Sequence, residues 1–98
     1  MNRQQILDLL RENERALRER GVTHAALFGS RARGDHSPDS DTDILIDIDP
    51  EAEMSIYDYA GLKRYIAGLL DGPVDVVVRG ALKPFVRPPA EGDALYAF

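Results

Sequence analysis

The sequence predicts an α/β (α+β) domain: a small mixed β-sheet with helices packed on one face. Three observations carry this expectation. Apolar residues recur at helical spacing in two separate stretches. Short apolar runs rich in β-branched residues alternate with them, and Gly or Pro closes most segments. The resulting order is helix, strand, turn, strand, helix, strand.

Residues 3–20 place Ile6, Leu9, Leu10, Ala16 and Leu17 at three-to-four spacing among Arg, Glu, Gln and Asn. This predicts one amphipathic helix, stopped by Gly21. Residues 23–28 are a short apolar run, read as a largely buried strand that Gly29 breaks. Residues 30–40 are polar and punctuated by Gly34 and Pro38, the composition of a tight turn followed by a loop. Residues 42–48, Thr-Asp-Ile-Leu-Ile-Asp-Ile, are a second strand. Residues 55–70 predict a second long helix. Ser55 and Asp58 have capping-box spacing, and Tyr59, Leu62, Ile66, Leu69 and Leu70 form one apolar stripe. Gly61 and Gly68 each cost that helix ~1 kcal/mol against alanine. Gly72-Pro73 ends it, and residues 74–79 are a third strand. From residue 82 onward, Pro84, Pro88 and Pro89 predict an irregular tail with one short helix after Arg87 and a docked apolar ending, Leu95-Tyr96-Ala97-Phe98. The connection between the first two strands is about a dozen residues, long for a compact domain and so a candidate for function.

A chain of 98 residues supports one domain, 1–98, with a modest core. The absence of cysteine excludes disulfides, thiolate metal sites and cysteine nucleophiles. No apolar run approaches the ~20 residues that span a bilayer, and the N-terminus does not read as a signal peptide. A soluble, cytoplasmic protein without a membrane partner is expected. The net charge of −5, from 17 acidic and 12 basic residues, argues against bulk nucleic-acid binding. An anionic ligand such as a nucleoside triphosphate would need local positive charge or bridging cations.

Three features supply both. Gly29-Ser30-Arg31-Ala32-Arg33-Gly34 directly follows a strand. Glycine admits close approach of a ligand, the turn offers free N–H groups, Ser30 adds a hydroxyl, and Arg31 and Arg33 add charge. The plainer alternative is an ordinary turn with solvated arginines. Asp41-Thr42-Asp43 opens the second strand, putting two carboxylates on one face roughly 6.6 Å apart. That spacing suits a hard cation such as Mg²⁺, although Ser-Asp-x-Asp is also common turn chemistry. Asp75 interrupts an apolar strand. Alternation puts Val74, Val76 and Val78 on one face and Asp75 with Val77 on the other. In the second strand it separates Thr42, Ile44, Ile46 and Ile48 from Asp41, Asp43, Leu45, Asp47 and Asp49. If both β-branched faces meet the helices, Asp75 projects to the same open side as Asp41 and Asp43. Its alternative is a solvent-facing residue on an uncovered sheet face. Asp47 lies about 13 Å beyond Asp43, so Asp47 and Asp49 are read as surface residues. His24 is read as structural, and His36, in the connecting loop, is given no role.

Gly29-Ser30, ten residues, then Asp41-x-Asp43 resembles the signature of the DNA polymerase β-like nucleotidyltransferase superfamily. The fuller string, Gly-Ser-Arg-Ala-Arg-Gly followed by Ser-Asp-x-Asp, is similar to its minimal nucleotidyltransferase (MNT) branch. That branch is often encoded beside a HEPN-domain protein as a toxin–antitoxin pair. The resemblance covers nearly the whole chain, and the proline pair of the tail departs from a plain helical ending. It implies the nucleotidyltransferase fold. Gly29 and Ser30 would hold the triphosphate, while Asp41 and Asp43 would bind two Mg²⁺ ions. Asp75 would complete the metal site and help deprotonate the attacking hydroxyl. Arg31 and Arg33 join the nucleotide-binding candidates. It further implies AMP transfer from ATP to a tyrosine of a partner HEPN ribonuclease toxin.

Two readings from different classes follow: an antitoxin acting by adenylylation, or a non-catalytic module that neutralises its partner by occlusion. Modification of a small molecule such as an antibiotic ranks last, because so short a chain leaves little room for a pocket. The residues themselves do not select the acceptor, the base, the number of nucleotides added, or a homo- or hetero-oligomeric state.

Overall fold

The computed structural model of the chain describes residues 2–29, 41–78 and 94–98. Three helices, α1 (Arg3–Glu12), α2 (Glu14–Glu19) and α3 (Ile56–Leu69), accompany four strands. The strands are β1 (Val22–Phe28), β2 (Thr42–Ile48), β3 (Val74–Val78) and β4 (Leu95–Tyr96).

The single helix expected over residues 3–20 is corrected to two. Asn13 is the cause. Its side-chain nitrogen donates to the Leu9 carbonyl at 2.8 Å, competing for an acceptor that the helical ladder needs. The Tyr65 hydroxyl then donates to Asn13 Oδ1 at 2.9 Å, tying the break to α3. The first helix starts with a capping box, Gln5 N–H donating to Asn2 Oδ1 at 2.8 Å and Asn2 N–H to Gln5 Oε1 at 2.9 Å. The expected box at Ser55 and Asp58 is also present.

The sheet order is β3-β2-β1-β4. β1 pairs antiparallel with β2 and β4, while β2 and β3 run parallel, so the sheet is mixed as expected. Parallel neighbours require a crossover, and α3 provides it. In β1 the register skips between Val22 and His24. The bulge explains why Val22, Ala25 and Leu27 all reach one core despite their mismatched parity. Simple alternation from residue 22 would have sent Ala25 and Leu27 to the far face.

Ile6, Leu10, Leu17, Leu27, Ile44 and Ile66 lose all exposure in the cluster between sheet and helices. The stripe read on α3 holds: Leu62, Ile66 and Leu70 are buried and Leu69 packs at the margin. The opposite sheet face is not bare, which corrects the open side expected for it. Ala26 and Leu45, register partners that alternate away from the helix-side cluster, are each 1% exposed.

The apolar ending docks as expected, and two of its residues do so as a strand. β4 pairs with Ala26 and Leu27, Ala97 N–H donates to the Ala25 carbonyl at 2.8 Å, and Arg11 Nε donates to the Ala97 carbonyl at 3.0 Å. The short helix expected after Arg87 lies outside the described residues. Among those described, no helix is long and apolar enough to cross a membrane.

Burial sets the expected cost of substitution. Ile66→Ala should lower the unfolding free energy by about 2–5 kcal/mol in urea denaturation. Ile56→Ala, at a site 78% exposed, should change it by less than about 0.5 kcal/mol.

Candidate active site

Three chain segments meet at one end of the sheet. β1 ends at Phe28, whose register partner on β2 is Asp43. Asp43 in turn is the register partner of Asp75 on parallel β3. Aligned residues of adjacent strands project to the same face, with strands about 4.8 Å apart. Of the three acids expected to share one face, Asp43 and Asp75 are direct register neighbours. Asp41 is exposed and immediately precedes β2.

Gly29 closes the arrangement. Its φ of +76° lies in the left-handed region, which L side chains avoid. A Cβ placed on it would come within 2.5 Å of Asp43 Oδ2. The turn backbone is therefore pressed against the Asp43 carboxylate, and only glycine allows that approach. Ser30, Arg31 and Arg33, the other nucleotide-binding candidates, lie outside the described residues, as does His36.

The register is held by a residue read from sequence only as a helix stop. Thr42 N–H donates to the Pro73 carbonyl at 2.9 Å, bringing β3 into line with β2 just before the acid pair. The Gly72-Pro73 dipeptide carried no sign of this second role, because ladder partners are non-local.

Like charges set directly opposite one another across strands destabilise a sheet. Asp43 opposite Asp75 sets two carboxylates side by side, and a cation between them would offset their charge. The donors Asp41, Asp43 and Asp75 are all carboxylates, hard oxygen ligands that fit Mg²⁺. Among the described residues no three acidic or imidazole groups form a ready cage. Mg²⁺ seldom asks for one: it takes one or two carboxylates and fills its octahedron with water and substrate phosphate.

The remaining candidates are structural. Asp49 N–H donates to the Gly21 carbonyl at 2.8 Å, and its Oδ1 accepts from Glu51 N–H at 2.9 Å, so Asp49 shapes the turn after β2. Asp47 pairs in register with His24 at the far end of the sheet. His24 Nδ1 lies 3.3 Å from the Phe98 carbonyl oxygen and its ring beside Tyr96, the structural place expected for it.

A mixed sheet backed by helices, with paired aspartates beside a glycine turn, defines the nucleotidyltransferase class. The nucleotidyltransferase domain model matches residues 10–96, and the chain belongs to that family and is an enzyme of its kind. It is 32% identical over 94 residues to a protein adenylyltransferase of Methanocaldococcus jannaschii, covering 94% of each chain. It is 38% identical over 81 residues to the protein adenylyltransferase MntA of Thermococcus cleftensis, covering 82% of this chain and 80% of MntA. A solved minimal nucleotidyltransferase superposes with a TM-score of 0.71 at 31% identity, over 97% of this chain and 95% of the other. A toxin–antitoxin crystal structure with AMP-PNP has a TM-score of 0.67 at 22% identity, covering 100% and 73%, and shows the same fold.

Two substitutions probe the geometry. Gly29→Ala should cost about 1–2 kcal/mol through its backbone conformation. It should also slow nucleotidyl transfer by at least tenfold, because the new methyl displaces the Asp43 carboxylate. Transfer at the wild-type rate would show that the contact is irrelevant. Asp75→Asn, measured without metal or nucleotide, should leave the melting temperature unchanged or raise it, by up to about 1 kcal/mol in stability, since it relieves the cross-strand repulsion.

Proposed function

We propose that the chain is a Mg²⁺-dependent protein adenylyltransferase, transferring AMP from ATP to a tyrosine hydroxyl of a HEPN ribonuclease toxin and so silencing it. The observation that carries this reading is the Asp43–Asp75 register pair beside the Gly29 turn. The relatives named as protein adenylyltransferases support the reaction type, and the toxin–antitoxin neighbour supports the class of partner.

In this reading Gly29 and Ser30 cradle the triphosphate, with Arg31 and Arg33 offsetting its charge. The acceptor oxygen bonds to the α-phosphorus as the bond to the bridging oxygen breaks, and pyrophosphate leaves. The acceptor proton passes to Asp75. Asp41, Asp43 and Asp75 would hold two Mg²⁺ ions, which would supply acidification of the acceptor hydroxyl and neutralisation of the leaving pyrophosphate. The protein's share is positioning and charge, which is most of what phosphoryl-type transfer requires. A reaction fed by ATP suits a cytoplasmic enzyme.

The test uses ATP labelled at the α-phosphate, Mg²⁺ and the product of a HEPN-type reading frame found beside the gene for this chain. Label should pass to the HEPN protein, vanish with EDTA, and fall at least a hundredfold in Asp43→Asn and Asp75→Asn. A folded wild type that transfers no label, yet still blocks the ribonuclease, would refute catalysis and favour occlusion. Replacing the acceptor tyrosine by phenylalanine should abolish labelling, and label persisting on another residue would overturn the tyrosine assignment.

A further inference from the structure

The sheet order leaves β3 on the outside, with β2 its one partner among the described strands. A single hydrogen bond fixes which way its backbone groups point. Thr42 N–H donates to the Pro73 carbonyl, and Thr42 is the register partner of Val74. In a parallel ladder a residue donates to the one before its partner and accepts from the one after it. Pro73, Asp75 and Val77 therefore turn their backbone groups toward β2. Val74, Val76 and Val78 turn theirs outward, a row of N–H and C=O groups along the open side of the strand. Among the described residues, no backbone bond outside the ladders takes any of them.

Side chains alternate along the same strand. Val76 enters the core at 3% exposure, while Asp75 and Val77 stand on the acid-bearing face, Asp75 exposed. Outer strands are commonly protected by proline, lysine or a bulge. Residues 74–78 hold four valines and none of these residues, and their register with β2 is unbroken. The one charge on the strand is Asp75 itself.

Resting on the adenylylation reading, we propose that this row seats an extended segment of the acceptor protein, added antiparallel to β3, and that the segment carries the tyrosine to Asp75. A row of open backbone groups is matched by another extended backbone, not by a helix, whose groups are already bonded internally. Antiparallel pairing is the more stable direction per residue. In it, the residues opposite Val76 and Val78 exchange hydrogen bonds with them. The residue between, opposite Val77, projects to the acid-bearing face. That position is the diagonal neighbour of Asp75, within the ~7–8 Å that an aromatic side chain bridges. A tyrosine there brings its hydroxyl to the carboxylate that the reaction uses. A second copy of this chain is the poorer occupant. Two β3 strands paired about a two-fold axis through Val76 put both acid pairs on one face, with the two Asp75 residues as diagonal neighbours.

The probe is a peptide of alternating threonine and valine with one central tyrosine and a lysine at each end. Hydrogen exchange of the full chain is read first, without ATP. The amides of Val74, Val76 and Val78 should slow at least tenfold with the peptide, while those of Asp75 and Val77, already bonded to β2, stay unchanged. With Mg²⁺ and ATP labelled at the α-phosphate, the tyrosine should take the label. N-methylation of the two residues flanking the tyrosine removes donors aimed at β3 and should cut protection and labelling at least tenfold. N-methylation of the tyrosine itself, whose N–H points away, should change neither. Val78→Pro removes an outward N–H without touching the β2 ladder and should act like the flanking methyl groups. If that variant does not fold, the methylated peptides still decide. Equal labelling of the two methylated peptides overturns the proposal, as do outward amides that the peptide leaves unprotected, even where label is transferred. Protection without transfer supports the docked strand and counts against the adenylylation reading instead. Outward amides whose protection in the free chain rises with its concentration assign the row to a second copy and also overturn the proposal.

Discussion

Everything at the acid-bearing end of the sheet depends on the alignment of β3 against β2. Because those strands run parallel with Asp43 opposite Asp75, two carboxylates are held side by side at one end of the sheet. The Thr42–Pro73 hydrogen bond sets the alignment, and the helix-side cluster around Ile44 and Val76 keeps it from slipping. A shift by one residue would send Asp75 toward Leu62 and Ile66, where an unpaired charge is prohibitive. Core packing and the placement of the acid pair are thus the same constraint seen from the two faces of one sheet.

Gly29 adds the second part of that constraint. The strand ends, the backbone enters a left-handed conformation, and the missing side chain lets the turn rest on Asp43. The glycine turn and the Asp43 carboxylate are therefore neighbours by construction, the arrangement that the proposed nucleotide and its ions would need.

Much of this was legible in the residues. The strands, the capped α3 and the shared face of Asp43 and Asp75 follow from alternation and capping chemistry, both local signals. What escaped was non-local or too short to have a period. Asn13 breaks the first helix through a bond to Leu9 and one to Tyr65, fifty-two positions away in sequence. The two residues of β4 cannot display alternation, and the bulge in β1 is visible only in its pairing. Leu45 and Ala26 are buried on the face that carries the acids, so alternation separated the two faces without saying how well each is covered. Pro73 looked like a full stop and is also an anchor.

Proline at that anchor has a further effect. Lacking an N–H, Pro73 has no donor to extend the β2–β3 ladder upstream. Added residues between Gly29 and Asp41 therefore cannot zip onto this strand as extra pairing, and lengthening a loop costs little entropy. Descendants of this frame are free to vary the length of that connection while the acid pair stays where it is.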